Sequence, residues 1–385
     1  MDKPLLPTED ASESSPYVNA IFAVLGFAYL FPYYAMVQPV DYWRLLFPNS
    51  NVEVVISLAY TITTVTTLLL LVCAGGVLRY TRRIVSGLAA QVLVLGALPA
   101  IALLAQLSAR YLAVLFSTVV IAIATSFLDS SVFGLATLFP HGALEHVQLG
   151  IGLSGLFAAI FRVVSKSCFP PSMVQTSTTV YFAAGAVVVA GAFIAYILLL
   201  RLPITRRCMH TTKQTAFEMR LLRKIWRNEG LVMLAYATSF IVFPGAISAI
   251  PSFQFPWLND SAWWQLILLT VFAAMDVVGR YSAQYRCGLT ARSVWRVVAL
   301  RLLLVPLIIC STKGVWLTHD AISILLVVLM AFSNGYCGTL TVVLVNDCVN
   351  ASELSATGMF SSLSINLGLV LGAAIGFGLS HLLHF

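Results

Sequence analysis

Long apolar runs alternate with short polar segments along almost the whole chain. About eleven of these runs have roughly the 20 residues that an α-helix needs to cross a hydrocarbon core about 30 Å thick. The runs lie at 17–38, 52–75, 84–106, 111–139, 147–168, 177–200, 229–248, 262–285, 292–311, 320–344 and 356–382. The pattern predicts an all-α polytopic membrane protein with about eleven transmembrane helices.

Composition supports the same class of protein. Of the 385 residues, 59% are hydrophobic and only 10% are charged, as in chains that lie mostly in lipid. The seven cysteines are scattered without metal-binding spacing, so the sequence predicts neither a metal site nor a disulfide framework. A Walker A pattern is absent from the sequence, which argues against ATP-driven pumping.

The distribution of Lys and Arg predicts the orientation in the membrane. Residues 1–16 are acidic and lack a basic n-region, so we expect a disordered tail and not a cleaved signal peptide. If this tail is cytoplasmic, the cytoplasmic segments carry fifteen Lys and Arg residues and the outside segments carry three. The positive-inside rule therefore predicts a cytoplasmic N-terminus and, with eleven spans, an outside C-terminus.

A basic segment at 201–228 follows the sixth span. It divides the chain into an N-terminal six-helix bundle at 17–200 and a C-terminal five-helix bundle at 229–385, a division common among transporters. Its apolar positions share one helical face, as an interfacial amphipathic helix requires: Phe217, Leu221, Leu222, Ile225 and Trp226. The alternatives are a basic cytoplasmic connector and a regulated lipid-binding element.

Two Asn-x-Ser sequons test this topology. Asn259 falls in a predicted outside loop and is a candidate for glycosylation, whereas Asn350 falls in a predicted inside loop. A glycan on Asn350 would contradict the orientation.

A charged residue within a span costs about 2.5–3.5 kcal/mol unless it is paired or hydrated. We consider six such residues: Asp129, Arg162, Lys166, Asp276, Arg280 and Arg301. At 1.5 Å per residue, Asp276 lies roughly 3 Å from the middle of its span and Arg280 roughly 9 Å from it. Because they are four residues apart, they share a helix face. An intrahelical ion pair and a polar face toward a solute cavity are both open interpretations.

The other embedded charges need partners elsewhere. Arg162 and Lys166 repeat the four-residue spacing without an acid, so carbonyls, water or Asp129 must satisfy them, and Lys166 can also reach the headgroups. We expect Asp129, Arg162 and Arg301 to face the bundle interior. The last span favours close helix packing through glycines at four-residue intervals: Gly368, Gly372 and Gly376. In the first span, Pro32 predicts a kink or a cavity wall.

Several motifs together resemble the equilibrative nucleoside transporter family over residues 17–382. Asp276-Val-Val-Gly279-Arg280 is similar to the eighth-helix signature, and Ala331 to Tyr336, AFSNGY, to the tenth-helix motif containing Asn334, Gly335 and Tyr336. The stretch at 299–310 resembles the ninth helix with Arg301 and Pro306. GIGLSG at 150–155, ending at Gly155, resembles the fifth helix. The segment at 161–170 resembles the plant or protist branch.

The resemblance implies a major-facilitator-like arrangement in which two bundles rock about a solute held midway between them. It implies facilitated transport of nucleosides, or of nucleobases, and no enzymatic activity. Asp276 would accept hydrogen bonds from ribose hydroxyls, Arg280 would hold Asp276 and donate to the solute, and Tyr33 would contact the base. Four positions depart from the family: Tyr33 and Tyr34 replace Trp-Asn, Asp129 replaces a Gln before the fourth-helix Ser motif, and Ala273 replaces an Asn.

Alternatives to simple facilitation follow from the embedded charges. Burial favours the protonated form of Asp129, which makes proton coupling a hypothesis unless Arg162 or Arg280 holds the carboxyl ionised. Four embedded bases against two acids are also compatible with an anionic, nucleotide-like solute, and a non-transporting sensor is a third alternative. The expected partners are a small-molecule solute and the bilayer, without nucleic acid or any cofactor except a coupled proton. We expect the plasma membrane as the location, with the vacuole or another endomembrane as the alternative.

Overall fold

A computed structural model describes residues 15–48, 52–74, 79–140, 142–170, 173–210, 219–260 and 263–383. Residues 1–14 of the predicted tail at 1–16 lie outside the described residues, and its last two residues begin the first helix. The first half of the chain forms helices α1 (Ser15–Val37), α2 (Val40–Leu46), α3 (Val52–Ala74), α4 (Tyr80–Ala97), α5 (Leu107–Ala136), α6 (Ala143–Cys168), α7 (Val174–Arg201) and α8 (Pro203–His210). A 3-10 turn at Leu98–Leu103 extends α4.

The second half forms α9 (Met219–Val242), α10 (Gly245–Ala249), α11 (Pro256–Asp260), α12 (Trp263–Ser282), α13 (Trp295–Arg301), α14 (Leu304–Thr312), α15 (Asp320–Asn346) and α16 (Leu354–Leu383). Eleven spans in the described residues are long and apolar enough to cross a membrane. This number confirms the predicted polytopic all-α fold. The ninth span consists of α13 and α14.

Successive spans alternate in direction, so α1 begins on one side of the bundle and α16 ends on the other. We call the side at which α1 begins the N-terminal side. The α2 and α11 helices, which follow the first and seventh spans, lie on the opposite side.

Close helix pairs within each half depend on small residues. In the first half α1 packs on α6, and in the second α9 packs on α16 and α12 on α15. A Cβ atom on Gly368, Gly372 or Gly376 would collide with a backbone carbonyl of α9, so these glycines allow the α16 backbone to approach α9. In the same way, Gly279 and Gly335 bring the α12 and α15 backbones together.

The basic segment differs from the sequence prediction. The short α8 helix lies at its start, residues 211–218, including Phe217, are outside the described residues, and α9 runs without a break from Met219 into the seventh span. Leu221 and Ile225 are buried in the hydrophobic core, whereas Trp226 is exposed. The apolar face is thus the packed first part of a spanning helix, because the hydrophobic core of the protein covers it and lipid does not.

The two halves are in close contact on the N-terminal side. The Tyr80 hydroxyl of α4 forms a hydrogen bond with Ser355 of α16, and Thr137 Oγ1, just after α5, donates to the Leu354 carbonyl over 3.1 Å. A Cβ atom on Gly358 would lie 2.8 Å from the Phe133 carbonyl group of α5. The ends of α4, α5 and α16 therefore close this side.

Candidate functional site

A cavity of about 660 Å³ lies between the two halves. Its lining begins at the level of Asp129, Gln148 and Asp276 and continues to Gln38 and Thr270, which lie toward the opposite side. The N-terminal ends of α4 and α16 do not contribute to the lining. The cavity thus leads from the middle of the bundle toward the opposite side and is closed on the N-terminal side.

The signature residues of α12 form a buried ion pair in the cavity wall. Arg280 Nε donates to Asp276 Oδ2 over 2.7 Å, and Asn334 Nδ2 of α15 donates to Asp276 Oδ1 over 2.7 Å. Both charged residues are less than a tenth exposed. Both oxygens of the carboxylate are therefore held, one by a charge and one by an amide, as a buried ion pair requires.

Gln148 connects this ion pair to the first half of the chain. Arg280 Nη1 donates to Gln148 Oε1 over 2.5 Å and to the Gln148 carbonyl over 3.2 Å. The Tyr236 hydroxyl of α9 donates to the same Oε1 over 3.1 Å. Two polar atoms of the network, Gln148 Nε2 and Asn334 Oδ1, are buried and have no partner in the described part of the chain. The network therefore has one donor and one acceptor to spare.

Asp129 lies in the wall that the first half contributes. Its Oδ2 accepts from Asn366 Nδ2 of α16 over 2.8 Å, and this bond joins the two halves. Its Oδ1 is buried without a hydrogen-bond partner in the described part. Arg162 and Arg280, the cations that the sequence suggested for Asp129, are paired with other acids.

Tyrosine rings form much of the remaining wall. Tyr29, Tyr34 and Tyr60 all line the cavity. Tyr33 does not belong to the lining: it stacks on Tyr60 with ring centroids 4.1 Å apart. The direct contact with a base that was expected of Tyr33 is thus available to Tyr60, because Tyr60 of α3 lies between Tyr33 and the cavity. Gly155 makes room for Tyr34, whose Cζ would lie 3.2 Å from a Cβ at that position.

Arg162 marks the end of the cavity toward the opposite side. Its Nη2 donates to Asp41 Oδ1 over 2.5 Å, and its guanidinium lies 5.7 Å from the centre of the Tyr181 ring. Asp41 belongs to the short α2 helix, so the partner of Arg162 is not Asp129. Lys166 belongs to the same helix as Arg162, but its side chain is outside the described part.

Other predicted residues lie away from the cavity. Arg301 ends α13 and donates to Ser333 Oγ, the Ala235 carbonyl and Ser239 Oγ over 2.5–3.0 Å, inside the second half. The Tyr336 hydroxyl donates to the Tyr285 carbonyl on the N-terminal side. The α1 helix continues through Pro32.

Asn259, the candidate glycosylation site, forms two hydrogen bonds with Ser252. Its Nδ2, the atom that would carry a glycan, donates to the Ser252 carbonyl over 3.0 Å, and its Oδ1 accepts from the Ser252 amide over 2.7 Å. Glycosylation would require the loss of the first bond.

Several residues of the site were not predicted from the sequence. Gln148, Tyr236 and Asn366 carry no charge, so an argument from the cost of embedded charges did not select them. Glu229 was taken as the first residue of a span, but it lies ten residues inside α9 and is buried. The continuity of an apolar stripe from Leu221 into the span was the signal that could have revealed it.

The comparisons with known proteins agree with this architecture. The sequence profile of the nucleoside transporter family matches residues 115–220 and 201–381. Equilibrative nucleotide transporter 8 of Arabidopsis thaliana is 24% identical over 387 residues, covering 97% of this chain and 98% of that protein. Human equilibrative nucleoside transporter 1 is 24% identical, covering 65% of this chain and 64% of that protein.

Solved structures support the fold. The major facilitator superfamily proton:xylose symporter XylE superposes with a TM-score of 0.70 at 13% identity, covering 96% of this chain and 91% of that one. A bacterial homologue of the iron transporter ferroportin superposes with a TM-score of 0.63 at 16% identity, covering 95% and 93%. The fold is thus of the major facilitator type, and by its sequence this multi-pass membrane protein belongs to the nucleoside transporter family.

Proposed function

We propose that the protein transports uncharged nucleosides, and not a nucleotide, by facilitated alternating access. The observation that carries this proposal is the cavity between the two halves, with the Asp276–Arg280 pair on one wall and tyrosine rings on the other. Its volume of about 660 Å³ lies within the roughly 300–1,000 Å³ of small-molecule sites.

The polar wall suits the sugar of a nucleoside. Asp276 is an acceptor. Arg280 uses Nε and Nη1 in its hydrogen bonds, and Nη2 takes part in no hydrogen bond within the described residues. Gln148 Nε2 and Asn334 Oδ1 supply a further donor and acceptor. Neighbouring hydroxyl groups both donate and accept, and they therefore match a wall that offers both functions at close range.

The aromatic wall suits the base. Tyr29, Tyr34 and Tyr60 present ring faces and edges, and a planar heterocycle can stack on them with little loss of conformational entropy. Aromatic pairs contribute about 0.5–1.5 kcal/mol beyond the burial of their area. A solute with a planar ring at one end and hydroxyl groups at the other would use both walls together.

The charge balance of the cavity disfavours a polyanion. Arg280 is neutralised by Asp276 and Arg162 by Asp41, while Asp129 adds a carboxyl that forms no ion pair within the described residues. A nucleotide phosphate would have to displace an existing carboxylate from an arginine. This argument supports a nucleoside, although several relatives carry the name of nucleotide transporters.

The proposed orientation is a cytoplasmic N-terminus, supported by the excess of Lys and Arg on the N-terminal side. The cavity then opens to the outside, and the structure corresponds to an outward-facing state. The plasma membrane is the proposed location. Antibody access to an N-terminal epitope tag tests the orientation: staining of intact cells would contradict it, and staining only after permeabilisation would support it.

Uptake of radiolabelled adenosine and uridine by cells expressing the chain tests the function. We expect saturable uptake that unlabelled nucleosides compete for and nucleotides do not. Arg280→Gln should abolish it, whereas Arg286→Gln, a matched change six residues away in an exposed ion pair, should retain it. Normal surface expression without saturable flux of any nucleoside or nucleobase would overturn the proposal. Binding without flux would indicate a sensor, and competition by nucleotides alone would indicate an anionic solute.

A further inference from the structure

Gln148 is a fully buried glutamine in the wall of the solute cavity. Its Oε1 accepts from Arg280 Nη1 over 2.5 Å and from the Tyr236 hydroxyl over 3.1 Å. An arginine side chain can only donate hydrogen bonds, so turning the amide over would set its own donor against the guanidinium. The amide oxygen therefore faces Arg280, and the amide nitrogen, Nε2, is left for another partner.

Asn334 is fixed in the same way at the other end of the network. Its Nδ2 donates to Asp276 Oδ1 over 2.7 Å. An ionised carboxylate can only accept hydrogen bonds, so the amide nitrogen of Asn334 must face Asp276, and the amide oxygen, Oδ1, is left. The charges of the ion pair thus decide which atom each of the two amides leaves for another partner.

These two remaining atoms, Gln148 Nε2 and Asn334 Oδ1, are buried and have no hydrogen-bond partner among the described residues. Both residues belong to the lining of the cavity. Gln148 comes from α6 of the first half, and Asn334 comes from α15 of the second half. The cavity wall therefore offers a free donor from one half and a free acceptor from the other, at the two ends of the network that contains the ion pair.

The close packing of α6 against α12 holds Gln148 beside Arg280. Gly152 is one helical turn after Gln148, and a Cβ atom at that position would lie 2.7 Å from Arg280 Cδ. Because Gly152 has no side chain, the guanidinium reaches both the side-chain oxygen of Gln148 and its carbonyl, the latter over 3.2 Å. Two bonds to one residue fix the glutamine, so a solute meets a donor that is already in place.

A second fully buried glutamine, Gln91 of α4, is different. Its Nε2 donates to the Tyr29 carbonyl over 2.8 Å and to Thr125 Oγ1 over 3.1 Å. Its Oε1 is the atom without a partner among the described residues, and Gln91 does not belong to the lining of the cavity. Gln91 is therefore a buried glutamine with a structural role, against which the role of Gln148 can be compared.

We propose that Gln148 is a specificity-determining residue: with Asn334, it makes the protein select solutes with ribose hydroxyl groups over deoxygenated nucleosides and free nucleobases. This inference rests on the proposed nucleoside transport. One ribose hydroxyl accepts from Gln148 Nε2, and another donates to Asn334 Oδ1. The ion pair between Asp276 and Arg280 stays intact while the solute binds. A solute without these hydroxyls leaves two buried polar atoms without partners.

The expected selectivity follows from the cost of leaving buried polar atoms unpaired. A buried donor or acceptor without a partner weakens binding by about tenfold. Sites built to bind a hydroxyl group reject analogues that lack it for this reason. Two unpaired atoms therefore predict a preference of about a hundredfold for adenosine over adenine, which has no hydroxyl groups. Gln148 accounts for about tenfold of this preference.

Initial uptake by purified full-length protein in liposomes tests the inference, after subtraction of entry into protein-free liposomes. The solutes are adenosine, 2′,3′-dideoxyadenosine, 5′-deoxyadenosine and adenine. In wild type, we expect adenosine to exceed at least one of the two deoxy analogues about tenfold in Vmax/KM. In Gln148→Met that preference should disappear, because the variant has no donor for the missing hydroxyl to satisfy. The matched control Gln91→Met should keep the wild-type preferences.

The remaining outcomes separate this inference from the proposed function. Equal uptake of all four solutes by wild type would overturn the inference and leave nucleoside transport standing. If Gln148→Met slows all four in the same proportion, Gln148 has a structural role only, and the inference is overturned. Absence of any nucleoside flux would overturn both. If Gln148→Met does not fold, Gln148→Asn replaces it, because the shorter side chain moves the donor away from the solute; unchanged preferences in that variant overturn the role of Gln148.

Discussion

Replacing Asp276 with Asn removes one charge from the cavity wall with little change of shape. The Asn amide can keep both hydrogen bonds: its oxygen can accept from Arg280 Nε, and its nitrogen can donate to Asn334 if the Asn334 amide turns over. Asn334 Oδ1 is buried and has no partner among the described residues, so it can accept that new bond. The variant therefore tests the charge and not the geometry.

The size of the expected loss of stability depends on the hydrogen bonds that Arg280 retains. Breaking a buried ion pair by removing one partner costs about 3–5 kcal/mol, because the other charge stays buried. Arg280 keeps two acceptors on Gln148, at 2.5 and 3.2 Å. We therefore expect Asp276→Asn to destabilise the fold by about 3 kcal/mol, at the lower end of this range.

A second substitution separates stability from transport. In Asp276→Asn/Arg280→Gln no uncompensated charge remains. About 2 kcal/mol of the stability lost in Asp276→Asn should therefore be recovered, within the usual range of coupling energies. Uptake should stay at least tenfold below wild type in both variants, because a charge-assisted hydrogen bond to solute is worth about 1.5–3 kcal/mol. Thermal unfolding in detergent and nucleoside uptake at matched expression measure the two effects. A double variant as unstable as the sum of its single variants would refute the ion-pair argument.

Two further changes test other parts of the structure. Gly152→Ala would place a Cβ 2.7 Å from Arg280 Cδ. Because this displaces the guanidinium, uptake should fall about tenfold (~1.4 kcal/mol). Gly191→Ala, with open space around it, should transport normally, and equal uptake by both variants would contradict the contact. At the surface, the backbone N–H of Asn350 lowers the pKa of Glu353. The stabilisation is complete above the pKa of about 4.3 that Glu353 has in the unfolded chain, and it is lost as pH falls through the lower pKa of the folded state. Thermal stability should therefore fall more steeply below pH ~4.3 in wild type than in Glu353→Gln. Parallel curves of thermal stability against pH would contradict the shift.

The sequence predicts well those features that depend on local spacing. Asp276 and Arg280 are one helical turn apart, so their pairing could be read from the chain. Arg162 has the same helical spacing to Lys166, but its partner Asp41 lies 121 residues away. That partner belongs to α2, a helix of seven residues between two spans, which is too short for a search for long apolar runs to select.

Neutral polar residues are harder to predict because many of them satisfy their own helix. Ser130, for example, donates to the Ser126 carbonyl one turn earlier. Gln148 instead contacts Arg280 over a sequence separation of 132 residues, and only the packing of α6 against α12 shows this. Continuity of α9 from Met219 was missed for a related reason: the positive charges resemble a loop, whereas the buried face of that segment depends on the core that covers it.

Gln148 forms hydrogen bonds that hold the two halves of the chain together at the cavity. Its side-chain oxygen accepts from Arg280 and Tyr236, and these two bonds join the first half of the chain to the second. A hydrogen bond from a charged donor is worth about 1.5–3 kcal/mol and a neutral one about 0.5–1.5 kcal/mol. Without a solute, separating the halves here therefore costs about 2–4.5 kcal/mol. Hydroxyl groups of a bound nucleoside would accept from Arg280 and donate to Gln148 in place of these bonds. On the proposed function, the solute therefore lowers the cost of the movement that transports it, and the loaded protein changes conformation faster than the empty one.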